Sequence, residues 1–101
     1  MKETNFLKLA KQEILYIQDK LENSSREECL DIDLLDDILY VKLEDSSTYV
    51  INKHAVMKEI WLSSPTSGAF HFAYDHKAER WVDGKQNELR ELLGRELGVK
   101  I

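Results

Sequence analysis

The N-terminal part of the chain carries an apolar stripe at helical spacing. Apolar side chains recur at steps of three and four positions, at Phe6, Leu9, Ala10, Ile14, Ile17 and Leu21. That period places them on one face of an α-helix, opposite polar residues such as Lys8, Lys11 and Gln18. We therefore predict an amphipathic helix that begins at Thr4, a residue suited to the N-cap, and ends near Glu22.

The middle of the chain alternates between apolar and polar residues, which is typical of half-buried β-strands. Five segments show the alternation and a short sixth follows them: LDIDL, ILYVKL, TYVIN, EIWLSS, FHFAY and RWV. Only a few residues separate consecutive segments, too few for the crossover that parallel strands require. The sequence therefore predicts an antiparallel meander of five or six strands.

The C-terminal segment returns to helical spacing. Leu89, Leu92, Leu93 and Leu97 form its stripe, and Gly98 suits the end of a helix that we place from Gly84 or Lys85 onward. Two terminal helices can cover one face of the sheet, with the other face left to solvent. We predict one α+β domain over residues 1–101, a two-layer sandwich of an antiparallel five- to six-stranded sheet and the two helices.

Composition narrows the class of protein. Apolar residues make up 43% of the chain and charged residues 33%, as in globular proteins. The single cysteine, Cys29, excludes an internal disulfide and a multi-thiolate metal site within one chain. No signal-peptide pattern and no membrane-spanning segment is present, so we expect a cytoplasmic protein that acts away from membranes.

The negative charge is concentrated in one part of the chain. The net charge is −5, whereas the segment from Asp19 to Asp45 holds ten acids against three bases, a local charge of −7. Such a segment repels phosphates and disfavours nucleic acid as a partner. It favours a cation or a basic protein surface instead.

Six of these carboxylates are candidate metal ligands, and we refer to them as the acidic edge: Asp19, Glu22, Glu27, Glu28, Asp31 and Asp33. They are expected to converge where the end of the first helix meets the first strand. Hard oxygen ligands suit Fe(II), Fe(III), Ca(II), Mg(II) or Mn(II), with low affinity and little selectivity. The alternative is an ordinary solvated charged face.

Trp61 is the candidate for contact with a protein partner. Its strand neighbours Ile60 and Leu62 point to the helix-covered face, so Trp61 points to the uncovered one, together with Asn52. Tryptophan is enriched at the centres of interfaces, which favours a partner-binding role for Trp61, Asn52 and the adjacent Lys53. Alternatively, Trp61 lies flat against its strand neighbours as a local lid. Trp81, near the second helix, is expected in the core.

The run YVINKHAVMKEIWLSSPTSG resembles the signature of the frataxins, including their bacterial homologues. The resemblance extends from about Phe6 to Leu97, with an acidic first helix and strand and a leucine-patterned last helix. It implies a frataxin-like fold and a role in iron–sulfur cluster assembly, with iron bound weakly by carboxylates of the first helix and strand. It also implies two partners, a cysteine desulfurase and an iron–sulfur scaffold protein, the scaffold being contacted around Trp61 and Asn52.

Three functions follow from these observations. The first is an iron-binding regulator or iron donor that acts as a monomer on the desulfurase–scaffold complex. The second is a metal-independent adaptor that docks the desulfurase through the acidic edge, with Asp31 and Asp33 as contacts. The third is an iron oxidase, but neither helix carries a Glu-x-x-His pair and no nucleophile–base set can be assembled. We therefore expect a protein without catalytic residues.

Overall fold

The computed structural model describes all residues, 1–101, and contains six strands between two helices. In chain order these are α1 (Glu3–Glu22), a 3₁₀ turn (Glu27–Cys29), β1 (Asp31–Leu35), β2 (Ile38–Lys42), β3 (Thr48–His54), β4 (Glu59–Ser64), β5 (Gly68–Asp75), β6 (Arg80–Val82) and α2 (Leu89–Leu97). The strands form one sheet in the order β1-β2-β3-β4-β5-β6, and each neighbouring pair is antiparallel. The predicted two-layer α+β fold is confirmed, with six strands.

Both helix starts differ from the prediction. The first helix begins at Glu3, one residue before the proposed cap Thr4, and Lys2 at its N-cap makes no side-chain capping bond. The second begins at Leu89, because Glu88 is its N-cap and accepts hydrogen bonds from the backbone N–H groups of Arg90 and Glu91.

The residues before α2 form a loop in place of the first helical turn that the sequence suggested. The Asp83 carboxylate accepts from the backbone N–H groups of Lys85 at 2.9 Å and Asn87 at 2.8 Å. An aspartate side chain that accepts hydrogen bonds from the backbone N–H groups of the residues that follow it competes with helix formation. At the other end of α2, Gly98 has a φ of 70° and forms the predicted left-handed cap.

The core lies between the helices and one face of the sheet. It contains the apolar stripes of both helices and the inward residues of β2 to β6, among them Leu39, Ile51, Ile60 and Phe72. Trp81 is 2% exposed, as predicted for a core residue. Neither helix combines the length with the apolar character that a membrane span needs.

Two polar contacts hold α2 in place, and neither was predicted. Arg90 donates two hydrogen bonds, of 2.9 and 2.8 Å, to the Glu13 carboxylate of α1. On the next turns of α2, Glu96 accepts from the hydroxyls of Tyr49, Ser64 and Ser67. The second contact ties α2 to the β4–β5 connection, so the serines of the SSPTSG run have a structural role.

Candidate functional site

The uncovered face of the sheet displays the tryptophan and two acids of the acidic edge. Cross-strand partners share a face, and the register pairs Asn52 with Trp61 and Trp61 with His71. The same face carries Asp33, which pairs with Tyr40 of β2. Asp33 is three strands away from the β4 of Trp61, a distance of roughly 14 Å at the usual strand spacing. One partner surface can therefore touch both.

The Trp61 indole lies between two imidazole rings. Its ring centroid is 4.0 Å from that of His54 and 4.2 Å from that of His71, with interplanar angles of 12° and 10°. The three side chains come from β3, β4 and β5, and we call them the His–Trp–His stack. Both flat faces of the indole are thus occupied by strand neighbours, and the side chain is half-buried.

Glu59 fixes the remaining polar group of the indole. Its Oε1 accepts from Trp61 Nε1 at 2.9 Å and lies 3.9 Å from His71 Nδ1, which gives an ion pair when His71 is protonated. His54 Nδ1 accepts from the backbone N–H of Met57 at 3.3 Å. The stack therefore offers a partner the outer edge of the indole and the exposed imidazole of His71, in a preset orientation.

The other two candidate contacts of this surface lie on opposite faces. Asn52 is on the uncovered face beside Trp61, whereas Lys53 points to the helix side, as alternate strand residues do. Lys53 Nζ is 3.4 Å from Asp37 Oδ2 in the β1–β2 turn. The placement of Lys53 with Trp61 on one surface is therefore wrong.

The acidic edge does not converge on one point. No group of three or more His, Cys, Asp or Glu side chains lies close enough together to hold a metal ion. The six carboxylates are all exposed, at the end of α1, in the 3₁₀ turn and on the outer side of β1. The six carboxylates are apart because they project from three separate elements, α1, the 3₁₀ turn and β1, and their role as metal ligands stays a prediction.

Three of the six carboxylates, Asp19, Glu28 and Asp31, line two separate surface depressions. One is lined by Asp19 together with Asn23 and Lys100, and Asn23 Nδ2 donates to Asp19 Oδ1 at 3.1 Å. The other is lined by Glu28 and Asp31, with further lining from Cys29, Lys42 and Glu44. Glu44 thus lies in the same depression as Glu28 and Asp31, although it is more than ten residues away from both in the sequence.

Cys29 lies in the second depression as an unpaired thiol. The Glu44 carboxylate, by hydrogen bond and by charge, raises the pKa of this thiol above its ordinary value. A raised pKa keeps the sulfur protonated at neutral pH, and the thiol, unlike the thiolate, is a poor nucleophile and metal ligand. This direction favours an unreactive thiol at Cys29.

Sequence reasoning missed the His–Trp–His stack and its Glu59 partner. Taken alone, the sequence gives no reason to place His54 or His71 against Trp61. The available signal was the alternation itself, because His71 and Trp61 both occupy outward positions of neighbouring strands. Recognising them as a pair requires the strand register. The alternation does not determine the register, because a shift of two residues keeps the same side chains on the same face.

A comparison with protein families decides the identity of this fold. A family model described as the frataxin-like domain matches residues 1–101. The chain belongs to the frataxin-like family. The resemblance seen in the signature run is thereby confirmed.

Curated relatives of this frataxin-like chain come from bacteria and eukaryotes. It is 36% identical over 81 residues to the iron–sulfur cluster assembly protein CyaY of Pseudomonas fluorescens, covering 77% of this chain and 73% of that protein. It is 35% identical over 101 residues to mitochondrial frataxin of Arabidopsis thaliana, covering 96% of this chain and 54% of that protein. The chain therefore spans about half the length of the plant relative.

Solved structures share the fold. Frataxin from Psychromonas ingrahamii superposes with a TM-score of 0.84 at 23% identity, over 96% of this chain and 89% of that one. Trimeric frataxin from Saccharomyces cerevisiae, complexed with ferrous iron, gives a TM-score of 0.78 at 29% identity, over 89% of this chain and 82% of that one. These likenesses cover both helices and the sheet of the frataxin-like chain.

Proposed function

We propose that this chain acts in iron–sulfur cluster assembly as a non-catalytic regulator that binds the complex of cysteine desulfurase and scaffold protein. The proposal is supported by the family match over the whole chain and by the CyaY relative, whose name states that role. The observation that carries it is the position of Asp31 and Asp33 on the same open sheet face as Asn52 and Trp61. A basic surface and an apolar surface of one assembly can engage the two ends of that face together.

Iron enters this proposal as weakly held cargo of the acidic edge. Exposed carboxylate oxygens are the donors that Fe(II) and Fe(III) accept, and a yeast relative has been crystallised with ferrous iron. Since no three candidate ligands lie together, one or two carboxylates completed by water would hold each ion. Weak binding of this kind suits release to a partner better than storage.

The spread of the carboxylates also supports the second function, a metal-independent adaptor. Docking a basic surface requires negative charge spread over an area, and Glu28, Asp31, Asp33 and Glu44 supply it around β1. In this alternative, metal binding is incidental to charges that serve a protein contact. The two functions differ in whether partner binding needs iron.

A pull-down with the organism's own desulfurase and scaffold, with and without Fe(II), tests the proposal. We expect the wild-type chain to be retained by the assembled complex. The double variant Asp31→Asn/Asp33→Asn should bind about tenfold more weakly, because two charged contacts are lost. It should also lose most of the iron-induced NMR shifts of β1.

The matched control is Glu79→Gln/Glu91→Gln, which removes the same charge at exposed positions away from the acidic edge. This control should bind like wild type. Full retention under strict chelation would favour the adaptor over the iron-binding regulator. Equal binding by the Asp31→Asn/Asp33→Asn variant and wild type would remove the acidic edge from the proposal, and failure of the wild-type chain to bind would end it.

A further inference from the structure

The β5 strand has a stretch of open edge. Its register with β4 covers Gly68 to Ala73, whereas β6 pairs only with the last three residues, Ala73 to Asp75. The five residues from Gly68 to Phe72 therefore have a strand neighbour on one side alone. Along this stretch the sheet ends at β5.

The register shows which backbone groups face that open side. Leu43, directly after β2, donates its N–H to Ser47 O at 2.8 Å on the β3 side. In an antiparallel strand, the N–H and C=O groups of successive residues point alternately to one neighbouring strand and to the other. The pairings of β2 with β3, β3 with β4 and β4 with β5 have no break, so the direction known at Leu43 determines the direction at each residue of β5. The even-numbered residues of β5 face β4, and the odd-numbered ones face outward. The N–H and C=O groups of Ala69 and His71 thus point away from the sheet.

The loop after β6 leaves this edge uncovered. Beyond Val82 the chain bends away, since Asp83 bonds to the backbone of Lys85 and Asn87, and Glu88 bridges back to Val82. The result is a groove between the β5 edge, at Ala69 to His71, and the loop, at Asp83 to Lys85. No bond outside the strands reaches the backbone of Ala69 or His71.

The two edges of the sheet differ in how they discourage pairing. Natural sheets protect an open edge with charged side chains or proline. The β1 edge carries Asp31 and Asp33, whereas the stretch from Gly68 to Phe72 has no acid, no lysine and no proline. An unprotected edge with two outward pairs of backbone groups can accept an extended peptide as a further strand.

Charge in the groove indicates what kind of peptide fits. All bonds of the Asp83 carboxylate go to its own loop, to Lys85 and Asn87. Lys85 is the only lysine or arginine that lines the groove and takes part in none of the three ion pairs of the chain, although its charge helps to lower the pKa of Asp83. A carboxylate on the incoming segment would pair with it. A second copy that pairs through the same edge is disfavoured, because its stretch from Gly68 to Phe72 carries no carboxylate to pair with Lys85.

We propose that the open edge of β5 binds an extended, acidic segment of the desulfurase–scaffold complex as a seventh strand beside Ala69 and His71. For the identity of the partner this inference rests on the proposed function. His71 stacks on Trp61, so the added strand would extend the uncovered face next to the His–Trp–His stack. It would supply an anchor that the acidic edge and the tryptophan do not provide.

Amide hydrogen exchange of the isotope-labelled full chain tests the geometry without a mutation. In the free protein, the N–H groups of Ala69 and His71 should exchange faster than those of Phe70 and Phe72, which bond to β4. On addition of the desulfurase–scaffold complex, exchange at Ala69 and His71 should slow by about tenfold or more, because a new bond protects each group.

Variants with matched controls test the same contact through affinity. Ala69→Pro removes the outward N–H and should weaken complex binding about tenfold, whereas Ala69→Ser keeps the backbone groups and should bind normally. Lys85→Glu should weaken it roughly fivefold, whereas Lys77→Glu, in the β5–β6 turn outside the groove, should not. Thermal unfolding shows whether Ala69→Pro remains folded, and the Lys85→Glu result stands if it does not.

The outcomes separate the two proposals. Slower exchange at Ala69 and His71, together with weaker binding by the Lys85→Glu variant, supports the added strand. If the complex binds wild type while exchange at both residues and the affinity of both variants stay unchanged, the added strand is wrong and the proposed function stands. If the complex does not bind wild type, both proposals fail. Concentration-dependent dimers that protect Ala69 and His71 without a partner would identify a second copy as the occupant and overturn the choice made above.

Discussion

Glu96 is a single side chain that joins three parts of the chain. Burial raises the pKa of its carboxyl, but hydrogen bonds from Ser64, Ser67 and Tyr49, with the charge of Arg95, outweigh burial and lower the pKa below its ordinary value of 4.5. The pKa of Tyr49 moves in the other direction: it is raised by burial and by the neighbouring Glu96 charge. The ionised carboxylate is therefore the form that holds α2 to the β4–β5 connection.

A pH-dependent loss of stability follows from Glu96. Because its pKa is lower in the folded protein than in the unfolded chain, its contribution is complete above about pH 4.5 and is lost as the pH falls through the folded value. Glu96→Gln should lower the free energy of unfolding by about 1–2 kcal/mol at pH 7. Urea unfolding at pH 7 and pH 3 should show this gap closing at the lower pH.

Glu91→Gln is the control for Glu96, since it removes an exposed carboxylate from the same helix. It should change stability at pH 7 by a few tenths of a kcal/mol. A gap between Glu96→Gln and wild type that stays constant from pH 7 to pH 3 would contradict the role given to the ionised form.

The two helices are joined as elements by one ion pair. The Glu13 side chain is 6% exposed and the Arg90 side chain 39%, and the guanidinium also lies 3.9 Å from the centre of the Tyr16 ring. The pKa of Arg90 is raised, first by its hydrogen bonds to Glu13, although partial burial acts the other way. The pair therefore fixes how α2 lies against α1 above the sheet.

Breaking this pair from one side should be costly. Arg90→Met leaves the Glu13 carboxylate buried without its partner, so the free energy of unfolding should fall by about 3 kcal/mol. Glu13→Gln/Arg90→Met should recover at least about 1 kcal/mol of that loss, since no buried charge remains. Urea unfolding of the two single variants and the double variant measures the coupling.

Arg80→Met, at an exposed position of β6, is the control and should stay close to wild type. If Arg90→Met is no less stable than Arg80→Met, the ion pair does not hold the helices together.

At the scale of the whole molecule, the uncovered face combines an aromatic centre with a charged margin. The His–Trp–His stack lies on β3 to β5, and Asp31 and Asp33 lie at the β1 border. A partner contact through charges weakens as salt screens them, whereas a contact through the indole edge does not. Salt can therefore separate the two halves of the proposed interface.

The salt dependence of partner binding is the corresponding prediction. Wild-type affinity for the desulfurase–scaffold complex should fall between 50 mM and 500 mM salt. Asp31→Asn/Asp33→Asn should fall much less, because the screened charges are absent. Trp61→Ala should bind about tenfold more weakly at every salt concentration and keep the wild-type slope. Isothermal calorimetry over a salt series measures the affinity and its dependence on salt. Equal salt dependence for wild type and the double aspartate variant would contradict a charged contribution from Asp31 and Asp33.

Much of the fold could be predicted, and less of the site. The stripe from Phe6 to Leu21 and the alternation around Trp61 define which side of each element is apolar, so the two-layer arrangement and the outward direction of Trp61 follow from the sequence. The start of α2 was misplaced by a few residues because a side chain, Asp83, bonds to the backbone ahead of the helix. The prediction that Lys53 shares a surface with Trp61 was wrong. The strand continues to His54, so Lys53 lies within the alternation and points to the helix side.

By itself the sequence determined the order of the elements, their buried faces and the excess of acid near the first strand, because these depend on the period and identity of nearby residues. Only the tertiary structure decided which distant side chains meet. It placed two imidazoles on the Trp61 indole, joined Glu13 to Arg90, kept the six carboxylates apart and left part of β5 without a neighbour. The physical reason is that distances between such residues depend on strand register and helix packing, which arise from the summed burial of the whole core.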